Sequence, residues 1–197
     1  MKRKYIILTS ALLLSVGVFA QKDQIKAAEK AMKNGNALEA INQLKAAEGS
    51  IASASESEKA QYNFIKGNAS LDLASKKMET AKNLSAAAKA YADVIAIEKA
   101  TGKSKYSEDS KTALAKVKND ILNAAQAEGE KKNYKGAADM LYAVYEMDKS
   151  NYETLYYAAI YYMNGEQYDK ALGYFQELKK ANYSGEGMNY YAKNAVS

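Results

Sequence analysis

Residues 124–141 read AAQAEGEKKNYKGAADML, and residues 158–175 read AAIYYMNGEQYDKALGYF. The two segments start thirty-four residues apart and share four identical positions. The residues Ala124, Ala125, Tyr134 and Ala137 recur as Ala158, Ala159, Tyr168 and Ala171. A period of this length is typical of a helix-turn-helix unit repeated along a solenoid. Because one such unit cannot bury its own apolar face, neighbouring units must stack, and stacking leaves an extended concave surface that suits the binding of other chains.

The composition predicts an all-α protein. Proline is absent from the whole chain, so no proline interrupts a long helix. Apolar residues recur at spacings of three and four, as at Ala37, Ile41 and Leu44, and no stretch shows the strict alternation of a half-buried strand. These patterns predict four helix pairs, at residues 23–33 with 36–48, 56–75 with 83–99, 108–131 with 134–147, and 152–163 with 167–181.

Two capping boxes and two glycines mark predicted helix boundaries. Asn36 stands three residues before Glu39, and Ser150 stands three residues before Glu153, as the acceptor and the carboxylate of a capping box do. Gly35 and Gly165 occupy positions where the chain is expected to reverse.

Residues 1–20 are typical of a cleaved secretion signal. Three basic residues at positions 2–4 precede an apolar run that is too short to span a bilayer. Val18 and Ala20 are small residues placed three and one positions before a cleavage site, so we predict cleavage between Ala20 and Gln21. A retained membrane anchor is the less favoured alternative.

The predicted mature chain, residues 21–197, is long enough for one elongated repeat domain with its own core. It contains no cysteine that could carry an amino-terminal lipid anchor. We therefore expect a periplasmic or secreted protein whose mature chain does not insert into the membrane.

Charge and residue usage argue against several functional classes. The sequence has 28 Lys and Arg against 23 Asp and Glu, but Arg3 is its only arginine and the lysines are interspersed with acids. Nucleic-acid readers depend on arginine forks and basic patches, so we expect no nucleic-acid partner. The chain has neither histidine nor cysteine, which removes the usual zinc ligands and the commonest general base. We therefore expect no metal and no cofactor.

Paired carboxylates are the remaining route to an enzyme, because two of them at a fixed separation suffice for glycoside hydrolysis. Glu128 with Glu130, or Asp148 with Glu153, could be such a pair. Lysines lie close to both pairs and no third group is implied, so solvated helix faces are the favoured interpretation. We predict no catalytic residue and no enzymatic activity.

Each predicted second helix contains an alanine that is followed by apolar residues four and seven positions later. Ala137 is followed by Leu141 and Val144, and the same spacing is found in three other places. The matching sets are Ala171 with Phe175 and Leu178, Ala40 with Leu44 and Ala47, and Ala87 with Tyr91 and Val94. In these positions the chain resembles the tetratricopeptide repeat family, although it lacks the proline usual between repeats.

This resemblance implies a right-handed α-solenoid of stacked antiparallel helix pairs, with about four pairs and the start of another. The ending around Tyr168–Leu172 and Asn182–Gly187 is similar to exported tetratricopeptide proteins of Gram-negative cell envelopes. Residues 187–195 look like a helix that is cut short, which indicates the amino-terminal part of a longer solenoid.

By the family's register, exposed residues of each first helix line the concave surface and bind the partner. The implied partner-binding residues are Phe64, Asn68, Leu122, Gln126, Glu153, Tyr156, Ile160 and Asn164. Some members clamp a partner's terminal carboxylate with Lys and Asn, but Phe64 stands where that Lys should be. The resemblance instead implies an extended or helical peptide held by apolar anchors and side-chain amides. The leading hypothesis is a non-enzymatic adaptor or assembly scaffold of the cell envelope, and homo-oligomerisation stays open.

Tyrosine is concentrated towards the carboxyl end, where 13 of 17 lie between Tyr134 and Tyr191. We expect four of them to pack in the core: Tyr161, Tyr162, Tyr168 and Tyr174. Tyr156 and Tyr157 are the better candidates for an interface, because adjacent helical positions point to different faces. Exposed tyrosines also suit sugar stacking, so the alternative hypothesis is a carbohydrate-binding helical module that works with an outer-membrane uptake system.

Overall fold

The computed structural model describes residues 21–185, and within them the protein consists of eight α helices without a strand. The helices are α1 at residues 21–33, α2 at Ala37–Ala47, α3 at Glu56–Ser75, α4 at Thr80–Thr101, α5 at Ser107–Glu130, α6 at Tyr134–Met147, α7 at Tyr152–Asn164 and α8 at Tyr168–Lys180. A short 3-10 turn, Ile51–Ser53, precedes α3. The all-α prediction is confirmed. The predicted signal at residues 1–20 and the helix start at residues 187–195 lie outside the described residues.

The predicted helix bounds agree with the observed ones to within about three residues, and α4 shows the largest difference. This helix begins at Thr80 and ends at Thr101, whereas the pattern predicted residues 83–99. Glu79 and Gly102 flank it with φ of 40° and 67°, so a left-handed residue marks each end. Glycine adopts that conformation without steric cost, which explains why the helix ends at Gly102.

Half of the capping box predicted at Asn36 is confirmed, because the Asn36 side-chain oxygen accepts from the backbone N–H of Glu39 at 3.1 Å. The other half is wrong, since the N–H of Asn36 donates to the carbonyl of Ala31 at 2.9 Å and not to Glu39. The capping box at Ser150 is wrong. Asn151 caps α7 by accepting from the N–H of Thr154 at 3.3 Å, whereas the Ser150 hydroxyl donates to Asp148 at 2.6 Å. The complete capping box lies at the start of α3, where Ser55 and Glu58 satisfy each other's backbone N–H. The pairs Ser55–Glu58 and Ser150–Glu153 have the same three-residue spacing, so spacing alone does not show which of them forms a capping box.

The helices divide into two compact units, the first ending at Val117 and the second beginning at Lys118, within α5. In the first unit α2 and α4 each pack on α3. One apolar cluster joins α1, α2 and α3: Ile25, Ala28, Ala40, Leu44, Ile65, Ala69 and Leu73 are buried in it. On α4, the buried residues include Ala87, Tyr91 and Val94, the set that the repeat pattern marked as a packing face.

In the second unit α7 packs against both α6 and α8. Its core is aromatic, with Tyr145, Leu155, Tyr156 and Leu178 buried in one cluster and Ala138, Tyr162 and Ala171 in another. The core prediction is correct for Tyr162, and Tyr161 and Tyr174 are half-buried against the same cluster. It is wrong for Tyr168, which is 62% exposed, because no described helix covers that side of α8.

The polar interruption between α4 and α5 is held by a buried carboxylate. Glu98 accepts from the N–H groups of Tyr106 and Ser107 and from the Ser107 hydroxyl, at 2.6 to 3.1 Å. These groups precede or begin α5, so Glu98 supplies acceptors that the first turn of this helix lacks. Burial acts to raise the pKa of Glu98, but the hydrogen bonds from Ser107 and Tyr106 outweigh it, and the pKa lies below its ordinary value.

Candidate partner-binding site

A cavity of about 420 Å³ lies in the first unit and includes two of the predicted partner-binding residues, Phe64 and Asn68. It is lined by residues of α1 and α3 and by one residue that precedes α5. The lining residues are Glu29, Met32, Lys33, Gln61, Phe64, Ile65, Asn68 and Tyr106. We call this cavity the α1–α3 groove. Its size is that of a site for one or two side chains.

Aromatic contacts fix the position of Phe64 in the groove. Its ring stacks on Tyr106 with centroids 4.7 Å apart and meets Tyr91 edge-on at 6.5 Å. Tyr91 is itself buried against Gly67, where an added Cβ would lie 2.7 Å from the ring. Phe64 is therefore a half-buried, pre-positioned apolar surface rather than a mobile side chain.

The polar residues of the groove are partly committed to each other. The Tyr91 hydroxyl donates to Asn68 Oδ1 at 2.7 Å, and Gln61 Nε2 donates to Glu29 at 2.9 Å. Asn68 therefore retains its amide N–H groups for a ligand, and Gln61 retains its carbonyl oxygen. Burial raises the pKa of Tyr91 to about 12, so its hydroxyl stays protonated as a donor.

An ion pair lies at the edge of the groove. Lys33 contacts Glu29 at 2.8 Å across one helical turn. The hydrogen bond from Lys33, together with its charge and the bond from Gln61, lowers the pKa of Glu29. Lys33, the lysine in the lining of the groove, is thus already paired with a carboxylate.

A second cavity, of about 370 Å³, shares Gln61 and Tyr106 with the α1–α3 groove. Its lining adds three lysines, Lys22, Lys103 and Lys105, and the acids Glu56, Glu58 and Glu98. Lys105 lies over the Tyr106 ring at 4.8 Å, which is cation–π distance. The second cavity, next to the groove, is therefore lined by both lysine ammonium groups and glutamate carboxylates.

The other six predicted site residues lie in the second unit. Leu122 and Gln126 are exposed on α5, and Gln126 donates to Glu130 at 3.1 Å. On α7, Glu153 and Asn164 are exposed and Ile160 is half-buried.

Tyr156 does not lie on the exposed face of α7. It is 3% exposed and packs edge-on against Phe175 with centroids 6.2 Å apart, whereas its neighbour Tyr157 is 39% exposed. Tyr157 lies four residues after Glu153 and seven before Asn164, so it continues the exposed face. Among the predicted residues of α7, Tyr156 is therefore wrong as a surface residue, because it packs on α8, whereas Glu153 and Asn164 are exposed as expected.

The structure thus brings together Phe64 and Asn68 in one groove. Of the remaining residues, four are exposed on α5 and α7, Ile160 is half-buried and Tyr156 is buried. Sequence reasoning missed Met32, Gln61 and Tyr106 as groove residues. Gln61 lies one turn before Phe64 on the same helix, which periodicity could have indicated. Tyr106 stands in a polar loop, and nothing in the sequence pairs that loop with α3.

Buried and half-buried tyrosines form a connected series in the second unit. Tyr142 stacks on Tyr174 at 4.7 Å, and Tyr145 and Tyr152 lie 6.2 Å apart. The Tyr145 hydroxyl donates to Glu177 at 2.6 Å. Burial and that acceptor raise the pKa of Tyr145. These contacts between α6, α7 and α8 show that most of the tyrosine enrichment serves packing.

At least one carboxylate of each pair weighed above accepts hydrogen bonds from neighbouring polar groups. Glu128 accepts from Asn133 at 2.7 Å and from Lys131 at 2.9 Å, and these partners lower its pKa. Hydrogen bonds from Ser150 lower the pKa of Asp148. A proton donor at neutral pH needs the opposite shift. Within residues 21–185, no group of three or more metal-ligating side chains is found, and no helix is both long and apolar enough to cross a membrane.

Comparisons of the chain with protein-family models, with curated proteins and with solved structures gave no match. The tetratricopeptide resemblance therefore remains a prediction from the residues that carry it. Function is consequently inferred from the geometry of the groove and of the exposed helix faces.

Proposed function

We propose that this protein is an exported, non-enzymatic adaptor of the tetratricopeptide type, an α-solenoid that binds a segment of another protein in the cell envelope. The α1–α3 groove is the observation that carries this proposal. It combines a fixed aromatic surface with uncommitted amide groups, which is the chemistry of peptide recognition.

The apolar part of the groove suits one large side chain of the partner. Met32, Phe64 and Tyr106 line it, and the stack of Phe64 on Tyr106 leaves little conformational entropy to lose on binding. An aromatic or branched aliphatic anchor is the expected occupant.

The polar groups favour an extended backbone over a helix. Gln61 offers an acceptor and Asn68 offers donors, and their seven-residue separation on α3 corresponds to about 10 Å of helix rise. Three residues of an extended peptide cover the same length, and each carries an unpaired N–H and C=O. A helical ligand has no such free groups in its interior.

The charges of the groove favour an internal segment over a free carboxyl terminus. Phe64 occupies the position from which a clamp lysine would reach the ligand, and Lys33 is paired with Glu29 at 2.8 Å. A partner carboxylate would therefore compete with Glu29 for Lys33. We expect the same affinity for a peptide with a free or an amidated terminus.

The test is to select binders from a random peptide library on the mature chain and to measure the best of them by calorimetry. We expect an apolar anchor in the selected sequences, and we expect Phe64→Ala to weaken binding by about tenfold or more. Asn68→Ala should weaken it by about fivefold through the lost hydrogen bond.

Leu38→Ala is the matched control, because Leu38 is 52% exposed on α2 of the same unit and does not line the groove. Circular dichroism verifies that each variant is folded. If folded Phe64→Ala binds the selected peptides as well as the native chain does, the groove assignment is wrong.

A carbohydrate-binding module is the second candidate, and the exposed ring of Tyr157 favours it. Glycan titration should then lose affinity in Tyr157→Ala and keep it in Phe64→Ala. The two candidates are distinguished because the decisive residues lie in different units.

A further inference from the structure

One wall of the α1–α3 groove comes from a segment without regular secondary structure. Residues 102–106 connect α4 to α5, and we call them the α4–α5 loop. Residues 102–105 are exposed, whereas Tyr106 is half-buried and its ring stacks on Phe64 with centroids 4.7 Å apart. The other lining residues belong to α1 and α3, two helices that share one apolar cluster. The shape of the groove therefore depends on what holds the backbone at Tyr106.

Glu98 holds the α4–α5 loop at both ends. Its backbone carbonyl accepts from the N–H of Lys103 at 3.0 Å. Its carboxylate accepts from the N–H of Tyr106 at 3.0 and 3.1 Å, and from the N–H and the hydroxyl of Ser107 at 2.9 and 2.6 Å. Successive backbone N–H groups that point to one side form a concave site for an anion. Glu98, which is 3% exposed, supplies that anion from within the chain.

Side-chain contacts also join the loop to α3. The Tyr106 ring lies on Phe64, and Lys103 Nζ donates to the Ser57 hydroxyl at 2.6 Å. The lysine bond is exposed, so water competes for both of its partners. The Glu98 carboxylate is buried, where water does not compete for charge-assisted hydrogen bonds. It is therefore the stronger restraint on the backbone at Tyr106.

We propose that Glu98 is a positioning residue of the α1–α3 groove, which keeps the Tyr106 ring on Phe64 by holding the backbone that carries this ring. Glu98 does not line the groove, so it acts on a bound partner through Tyr106. A wall that is already in place loses little conformational entropy when a partner side chain packs against it. This role rests on the function proposed for the groove, because it concerns affinity for the same partner segment.

Glu98→Gln tests the role with a change of nearly equal size. Both carboxylate oxygens accept from the loop, and glutamine would place an NH₂ group against one of these N–H donors. The backbone at Tyr106 is then released, while Phe64 and Asn68 are unchanged. We expect the tightest peptide selected from the random library to bind Glu98→Gln about fivefold to tenfold more weakly than the native chain in calorimetry.

A double-mutant cycle with Tyr106→Ala separates positioning from other effects of Glu98. Tyr106→Ala removes the ring itself and should weaken peptide binding at least as much as Glu98→Gln does. In the Tyr106→Ala background, Glu98→Gln should weaken binding further by less than about twofold, because no ring is left to position. Equal losses in both backgrounds would overturn the proposal.

Val94→Ala is the matched control for a general loss of stability. Val94 is fully buried on α4, one turn before Glu98, and it lines neither the groove nor the second cavity. The substitution leaves a void on the same helix but keeps the carboxylate that holds the loop. Circular dichroism verifies that each variant is folded. We expect native-like peptide affinity in Val94→Ala, and a loss equal to that in Glu98→Gln would overturn the proposal.

Trypsin digestion reports on the loop without any peptide. Lys103 and Lys105 are exposed cleavage sites in the α4–α5 loop, and Lys45 is an exposed reference site on α2. A backbone that is held in place resists cleavage until it opens locally. Glu98→Gln should raise the cleavage rate at the two loop sites about tenfold relative to that at Lys45. Unchanged rates, or equal increases at all three sites, would overturn the proposal.

Failure of the groove function and failure of the positioning role give different results. If folded Phe64→Ala binds the selected peptide as well as the native chain does, or if the library yields no binder, the groove function is wrong and the positioning role falls with it. If Phe64→Ala weakens binding and Glu98→Gln does not, the groove function stands and the positioning role is wrong.

Discussion

At the scale of single residues, Glu98 links the end of α4 to the start of α5. It is the only buried carboxylate among the described residues, and its hydrogen bonds to Tyr106 and Ser107 lower its pKa. The fold therefore favours its ionised form. The resulting stabilisation is fully present above the ordinary carboxyl pKa of about 4.5 and is lost as the pH falls through the lowered pKa of the folded state.

Glu98→Gln should reduce the free energy of unfolding at pH 7 by about 2 kcal/mol, because an amide cannot accept the same set of charge-assisted bonds. Urea unfolding measures this loss. The variant should also lose less stability than the native chain between pH 5 and pH 3. Glu108→Gln is the control, since Glu108 is exposed and pairs only with Lys111 at 2.7 Å among the contacts of the described residues. A native-like acid profile in Glu98→Gln would contradict the assigned role.

Replacing glycine by alanine should change the free energy of unfolding in opposite directions at two helical positions, Gly67 and Gly173. An added Cβ at Gly67 would lie 2.7 Å from the ring of Tyr91, whereas one at Gly173 would meet nothing within 4 Å. Gly67→Ala should lower the free energy of unfolding by about 1 kcal/mol, because overpacking exceeds the gain in helix propensity. Gly173→Ala should raise it by about 0.5 to 1 kcal/mol. Thermal unfolding of both variants checks the pair, and effects of the same sign would show that the contact with Tyr91 is absent.

The site residues show what a sequence can indicate at this scale. Phe64 and Asn68 were expected from the resemblance to the repeat family, and helix geometry adds only that residues four apart share one face of α3. Tyr156 and Tyr157 could not be separated in this way. Both are tyrosines on the same turn, and the orientation of α7 against Phe175 determines which of them is buried.

At the scale of helices, local signals predict most of the architecture. The periodicity of small and apolar residues, the absence of proline and the cap at Asn36 act within one or two turns, so they can be recognised without the fold. The start of α7 is an exception. Ser150 and Asn151 are both good caps, and the turn held by Asp148 determines which one accepts from the helix.

Asn151→Ala should lower the free energy of unfolding by about 1 kcal/mol, because the N–H of Thr154 loses its acceptor. Ser150→Ala should cost less than half of that, since its hydroxyl contacts only the exposed Asp148 among the described residues. Chemical denaturation of the two single variants decides between the caps. A larger loss in Ser150→Ala would restore the capping box that the sequence predicted.

At the scale of the whole molecule, the two compact units each have a core of their own. Among the described residues, the hydrophobic clusters of the first unit and of the second unit share no residue, and proteins open locally in such cooperative units. A large-to-small substitution in the core of one unit should therefore promote the unfolding of that unit more than that of the other.

Leu155→Ala removes a fully buried side chain from the second unit and should cost about 3 kcal/mol. We expect hydrogen exchange to accelerate in α6, α7 and α8, while α3 keeps its protection. Exchange followed by mass spectrometry on the native and variant chains provides the measurement. Leu38→Ala, at an exposed position of the first unit, is the control. Equal acceleration in α3 and α7 would show that the chain unfolds as a single cooperative body.

The sequence by itself determined the helical class and, to within about three residues, the bounds of the described helices, because these depend on local periodicity and on the chemistry of helix ends. The resemblance to the repeat family indicated two residues of the groove, Phe64 and Asn68. Only the tertiary structure decided that Tyr106 completes the groove on Phe64, that Glu98 caps α5, and that Tyr156 is buried while Tyr168 is exposed. Each of these outcomes depends on contacts between residues of different elements. Their geometry is set by how whole helices pack, and a one-residue change in register or a single missing neighbour reverses it.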